Sequence, residues 1–255
     1  MKIKLENLYN EDCMTALLKL PARSVDLVFA ELPEDPIMWS KQIPMSSYID
    51  HNGLHYEHDE YMMLMYIKNA DFIKSQQRWD DEHMPGLWAN LRRILTPTGV
   101  VVLLMDPYIA ANVKEHATIP WRYNILWKTQ KEMPAEKVLS VFSPVFPEKL
   151  PEVSDYRDAL PYIQDEEIVD GTEAIHNSVW ICPALMGAEH KGSPGPELYD
   201  TVLECFSVNG NTVLDLCMRS GRFGLRAAEY DRKFIGMEKD PDKFELAKSR
   251  LLAAR

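Results

Sequence analysis

Apolar and polar positions alternate along this 255-residue chain in blocks that read as strands and helices in turn. A helix is expected near Asn10–Leu20, with Met14, Leu17 and Leu18 on one face, ending before Pro21. Ser24–Ala30 is almost wholly apolar, the pattern of a parallel strand buried on both faces. A polar segment rich in Pro, His, Asp and Ser follows from Glu31 to about Glu60. Helices are predicted at Tyr61–Lys74 and Asp80–Leu95, the second with Trp88, Leu91 and Leu95 as its apolar stripe. Thr96–Gly99 reads as a turn feeding a strand at Val100–Met105. Beyond it come a helix near Ile109–His116, strands at Arg122–Trp127 and Lys137–Phe142, and a short apolar run at Val179–Cys182. A helix at Glu197–Phe206 leads into a second strand–helix–strand unit. The last helix opens at Asp240-Pro241, an N-cap followed by proline at the first helical position, and turns Phe244, Ala247 and Leu251 inward. Strands alternating with helices predict an α/β fold, a mainly parallel sheet wound with helices on both faces.

The unit from Asn211 to Pro241 carries the clearest chemistry. The apolar run Val213–Leu216 enters a turn, Cys217-Met218-Arg219-Ser220-Gly221, and a helix follows. A second apolar run then ends on Glu238, 17 residues past Gly221. Backbone N–H groups and a helix N-terminus in such a turn sit beside a ligand, and the carboxylate accepts ribose hydroxyls, so the unit suits an adenosine cofactor. Arg219 occupies the place of the turn's first glycine. A left-handed conformation there costs a non-glycine residue about 1–2 kcal/mol. Arg219 and Arg222 either hold an anion at the helix N-terminus or fill the pocket by pairing with Glu238 or Asp12. The second reading is preferred, because those carboxylates otherwise lie unpaired.

Composition narrows the setting. The chain is 46% hydrophobic and carries a net charge of −11. Nine acidic and two basic residues between Glu148 and Glu173 account for −7 of it. Such acidity works against unaided nucleic-acid binding, which rests on phosphate neutralisation. The segment is read as solvated surface, and residues 143–177 as an insertion within one domain spanning 1–255. No apolar run is long enough to cross a bilayer, and the N-terminus has no signal-peptide core. The four cysteines form no CxxC pair, so a reduced cytoplasmic setting is expected. His51, His55, His58 and Asp59 are ligand types, but their loop spacing favours a polar surface, and no metal is expected.

Several motifs in order resemble the β-class amino-methyltransferases of DNA. These are Asn10-Glu11-Asp12-Cys13, then Ser24 to Glu34, then Trp88–Leu103, Ile125–Lys128, Glu189–Leu198 and the glycine turn. The resemblance covers nearly the whole chain outside about 143–177. It implies a Rossmann-like class I methyltransferase fold with the β-class motif order, S-adenosylmethionine as cofactor, and the exocyclic amino group of adenine or cytosine as target. It also implies a homodimer, or a heterodimer with an active partner. The implied catalytic positions are Glu31, Pro33 and Glu34, where the family has Asp-Pro-Pro-Tyr. The implied cofactor positions are Asp12, Cys13, Asp215, Arg219, Ser220, Gly221 and Glu238.

The departures from the family are concentrated at both sites. Glu31 extends the acceptor by one methylene, and active-site displacements of about 1 Å can cost roughly 100-fold. Glu34 cannot stack on a flipped base. The family's Phe-x-Gly-x-Gly is Cys217 to Gly221 here, and its Thr-Thr is Arg222-Phe223. These changes point to a methyltransferase-like chain that no longer transfers methyl groups and works by binding a partner. An enzyme still active through Glu31 is the alternative, and a different small-ligand enzyme on the same pocket is a third.

Overall fold

The computed structural model describes residues 4–32, 84–105, 107–128, 137–145, 178–183 and 194–253. The expected helix at Tyr61–Lys74, the His51–Asp59 loop, Pro33, Glu34 and nearly all of 143–177 lie outside them, as does the first half of the motif at Glu189–Leu198.

Among the described residues, eight strands form one sheet in the order β1-β8-β7-β2-β3-β5-β4-β6. They are β1 (Leu8–Tyr9), β2 (Val25–Glu31), β3 (Leu95–Met105), β4 (Trp121–Lys128), β5 (Lys137–Phe142), β6 (Ser178–Ile181), β7 (Thr212–Asp215) and β8 (Lys233–Met237). Every pairing is parallel except those of β5, which runs antiparallel to both β3 and β4. The helices are α1 (Cys13–Leu17), α2 (84–94), α3 (Pro107–His116), α4 (Pro196–Phe206), α5 (Arg222–Glu229) and α6 (Pro241–Ala253). None of them is long and apolar enough to cross a membrane.

The apolar run of β2 is divided between two cores, because successive side chains point to opposite faces. Val28 and Ala30 pack with Ala16 and Leu17 of α1, Trp88 and Leu91 of α2, and Val113 of α3. Leu27 and Phe29 pack with Val202 of α4, Phe223 of α5, and Ala247 and Leu251 of α6. The sheet is therefore covered on both faces, as a nearly all-apolar central strand requires.

Three elements differ from the sequence reading, each for a local reason. The first helix is confined to Cys13–Leu17, and Asp12 caps it by accepting the Met14 N–H at 2.9 Å. Thr96–Gly99 does not precede β3 but bulges from it: Val25 pairs with Leu95, and Leu27 pairs with Val100. The Thr96 hydroxyl donates to Asp26 Oδ1 at 3.1 Å, while Asp26 Oδ2 accepts the Thr212 N–H at 2.8 Å, which ties the bulge to β7. Strand β1 extends the parallel edge by only two residues, too few to register as a period. Helix α6 begins as expected, with Asp240 Oδ1 accepting the N–H groups of Asp242 and Lys243 at 3.0 and 3.2 Å. These bonds hold the Asp240 carboxyl below its usual range.

Candidate functional site

The carboxyl ends of β1, β8, β7 and β2 lie side by side, the edge where open α/β sheets bind ligands. Each of these strand ends delivers a side chain. Glu31 closes β2, Asp215 closes β7, Glu238 follows β8 and Asn10 follows β1. The turn after β7 then crosses in front of them.

That turn is built by backbone hydrogen bonds. The Met218 N–H donates to the Met237 carbonyl at 2.8 Å, and the Gly221 N–H donates to Met218 O at 2.7 Å. Gly221 has φ +75°, and a Cβ placed on it would come within 3.0 Å of Ala247 Cβ. Both the left-handed backbone and the approach to α6 require glycine there. Arg219 also adopts a left-handed conformation, φ +46°, without glycine's freedom. Arg250 of α6 donates to Ser220 O at 2.5 Å, fastening the turn to the last helix.

The left-handed turn sends the two halves of Arg219 in different directions. Its backbone N–H donates to Glu238 Oε2 at 2.9 Å. Its guanidinium reaches across to β2, where Nη1 lies 3.3 Å from Glu31 Oε1. The expected pairing of the arginine side chain with Glu238 or Asp12 is therefore not what forms. Glu238 is satisfied by two backbone donors, Arg219 N–H and Asp240 N–H at 2.9 Å. Asp12 is spent as the cap of α1. Glu31 attracts the guanidinium because β2 and β7 are neighbours in the sheet.

Lys137 is the residue that the sequence did not single out. Because β5 runs antiparallel, its first residue lies at the edge where β2 and β3 end, just past the Met105–Val138 pair. There Lys137 Nζ donates to Glu31 Oε1 at 2.8 Å, with Glu31 5% and Lys137 4% exposed. One carboxylate oxygen thus meets two cations. The available signal was a lysine heading an otherwise apolar run, Val138–Phe142, because a buried lysine demands a partner.

Asp215 sits beside this cluster and is also buried. Its Oδ1 accepts the Cys217 N–H at 3.1 Å. Burial pushes its carboxyl up to about 7, and the charge on Glu31 adds to the rise. Burial likewise pushes the Cys13 thiol up to about 11 and holds the Cys217 thiol well above its ordinary value. Neither is a thiolate near neutral pH. Asn10 Nδ2 donates to Glu238 O at 2.9 Å and fixes the loop that carries the carboxylate.

Aromatic side chains of β2, α4 and α5 pack together beside the turn. Phe223 stacks on Phe29 with centroids 4.5 Å apart, and Tyr199 meets both rings edge-on at 5.8 and 5.7 Å. Tyr199 was not anticipated, since its role depends on how α4 packs over β2. Among the described residues, no group of three or more His, Cys, Asp or Glu side chains is arranged to hold a metal.

Comparison with known proteins gives a consistent result. A family model described as DNA methylase matches residues 22–249. TTHA0409 of Thermus thermophilus, assigned as a DNA modification methylase and solved with S-adenosyl-L-methionine, is similar at 18% identity. The match covers 97% of this chain and 95% of that one, with a TM-score of 0.60. The cytosine-N4-specific PvuII DNA methyltransferase is 12% identical over 97% of this chain and 93% of its own, with a TM-score of 0.54. M1.HpyAVI in its SAM complex is 14% identical over 96% and 98%, with a TM-score of 0.51. At these identities the solved structures speak to the fold, which is the Rossmann-like methyltransferase sheet.

Proposed function

We propose a function from one premise, that this chain belongs to the DNA methylase family: it is a methyltransferase-like protein that does not transfer methyl groups and acts by binding a protein partner. The observation that carries this reading is the double engagement of Glu31 by Lys137 and Arg219. Methylation of an exocyclic amino group needs an acceptor that takes hydrogen bonds from that nitrogen. Glu31 stands where the family resemblance puts the acceptor, and its Oε1 is already occupied. Freeing it would take a carboxylate 2.8 Å away from a buried lysine, a loss of about 3–5 kcal/mol. That equals roughly 100-fold to several thousand-fold in rate.

The cofactor side supports the same reading. S-adenosylmethionine is the ligand this fold implies, and TTHA0409 and M1.HpyAVI were solved with it. Here Glu238 spends both carboxylate oxygens on backbone donors, and the Arg219 guanidinium spans the gap between turn and β2. The residues present do not fit the cofactor while Arg219 holds that position. The net charge of −11 supports a protein partner, a second copy or an active methyltransferase, over unaided DNA.

One observation favours retained activity. The contacts of both Lys137 and Arg219 are to Glu31 Oε1, which leaves the other carboxylate oxygen outside the shared contact. The two readings separate in a methyl-transfer assay with labelled S-adenosylmethionine and unmethylated duplex DNA. No transfer above a protein-free control is expected. Transfer that Glu31→Ala abolishes would establish the enzyme instead.

A further inference from the structure

Three carboxylates are buried at the ends of neighbouring strands, Glu31 at 5% exposed, Asp215 at 4% and Glu238 at 8%. The strand register fixes where Asp215 stands among them. Asp215 pairs with Phe29 on β2 and with Gly236 on β8. Paired residues of neighbouring strands share a face, and so do residues two apart on one strand. Glu31, two residues past Phe29, therefore stands on the same face as Asp215. A strand spacing of about 4.8 Å and a rise of about 3.3 Å per residue put their Cα atoms about 8 Å apart. On the other flank Gly236 has no side chain to interpose.

The cations at this edge are unevenly shared. Lys137 Nζ and the Arg219 guanidinium both go to Glu31 Oε1, at 2.8 and 3.3 Å. Glu238 takes the N–H groups of Arg219 and Asp240. Asp215 receives one hydrogen bond among the described residues, from the Cys217 N–H at 3.1 Å. It is the buried carboxylate with least to offset its charge, and such a group is the one that holds a proton. Burial is the main cause that pushes it up to about 7, and the Glu31 charge adds to the rise. The other groups facing it are Arg219 and Cys217 from the turn, Glu238 from beyond β8 and Tyr199 from α4, with Arg222 near Tyr199 at the start of α5. Burial holds the Cys217 thiol and the Tyr199 phenol well above their ordinary values, so neither titrates near neutral pH.

We propose that Asp215 is a proton-operated latch on the clamp that Arg219 makes between the turn and β2. Arg219 leaves the chain four residues after Asp215, and its side chain crosses from the turn after β7 to Glu31. The crossing runs over the face on which Asp215 stands. With the proton on, Glu31 alone faces the guanidinium, and Lys137 already offsets its charge. With the proton off, a second carboxylate faces the guanidinium, and the bond from the Cys217 N–H becomes charge-assisted. Acid therefore loosens the clamp and alkali tightens it. The latch concerns the same site as the proposed function but rests only on the Arg219 bridge, so it holds whether or not methyl groups are transferred.

The test is carbon-13 NMR of the full chain labelled at its aspartate carboxyls, titrated from about pH 4 to 10, with the Asp215 signal assigned by its loss in Asp215→Asn. Glu31 and Glu238 are silent under this labelling. The parent midpoint is expected at about 7. Arg219→Gly should raise it by at least about half a unit, and Arg219→Lys, which keeps the charge, should show a smaller rise. By reciprocity, a rise of about one unit means that the ionised carboxylate holds the guanidinium about tenfold more firmly. Glycine suits φ +46°, so Arg219→Gly is expected to fold. A parent midpoint in the ordinary range of about 4 would overturn the latch, as would a midpoint that stays or falls in Arg219→Gly. A rise that Arg219→Lys reproduces in full would assign the shift to a changed turn rather than to charge, and would overturn it too. The methyl-transfer assay reads none of these signals, so the two proposals fail separately.

Discussion

Replacing Lys137 by methionine removes one cation from a pair that is almost wholly shielded from water. Lys137 Nζ and Glu31 Oε1 are 2.8 Å apart, and neither residue is more than 5% exposed. Deleting one member of such a pair leaves an uncompensated buried charge and costs about 3–5 kcal/mol. Arg219 at 3.3 Å still faces Glu31, which puts Lys137→Met toward the lower end. Glu31→Leu takes from the buried lysine the carboxylate 2.8 Å away and belongs toward the upper end. Removing both members leaves no buried charge from this pair. Glu31→Leu/Lys137→Met should therefore lie within about 2 kcal/mol of the parent, as apolar replacements of buried pairs generally do. At about 2–4 °C per kcal/mol for a chain near this size, each single variant should lose roughly 6–20 °C in Tm. Urea denaturation of the four proteins closes the cycle, with a coupling energy of at least about 3 kcal/mol expected. Additivity to within about 0.5 kcal/mol would refute the reasoning, because independent sites behave that way.

Other consequences follow from single residues. Asp215 has a folded-state pKa raised to about 7, so the folded state holds a proton that the unfolded chain has released above about pH 4. Stability should then fall as pH rises from about 4 to 7, by at most roughly 1.4 kcal/mol per pH unit, and Asp215→Asn should remove that component in urea titrations at stepped pH. Gly221→Ala places a methyl 3.0 Å from Ala247 Cβ at φ +75° and should cost about 2–3 kcal/mol, whereas Gly210→Ala, at φ +84° with open space around it, should cost only the strain of about 1–2. Arg219→Gly releases similar strain at φ +46° for the loss of one part-exposed ion pair, so its urea midpoint should rise by the equivalent of about 1 kcal/mol. Duplex DNA at physiological salt should give no tight binding in fluorescence anisotropy, and a submicromolar Kd would contradict the inference drawn from the chain's charge.

The sheet was legible because its central strands are continuous apolar runs and its turns carry Gly and Pro. The unit around Gly221 and Glu238 was legible for the same reason, since strand, turn and helix there are contiguous in sequence. What escaped was set by contacts distant in sequence. Lys137 meets Glu31 across 106 residues, through an antiparallel strand whose direction no local pattern reveals. The partner of Arg219 depended on β7 lying next to β2, together with the left-handed twist at Arg219 that sends amide and side chain apart. Asn10 and Tyr199 acquire their roles from the packing of β1 on β8 and of α4 over β2. The shortened α1 and the bulged β3 are cases in which a cap at Asp12 and a hydrogen bond to Asp26 decided what periodicity left open.

The central claim is that Arg219 closes the gap between the glycine turn and β2, so that the family's cofactor finds no room. Calorimetric titration of the purified chain with S-adenosylmethionine and with its demethylated product, alongside Arg219→Gly and Arg219→Gly/Cys217→Phe, tests this most directly. The expected result is no measurable heat with the parent and saturable binding once the arginine is removed. Micromolar binding by the parent would contradict the claim and turn attention to methyl transfer through Glu31.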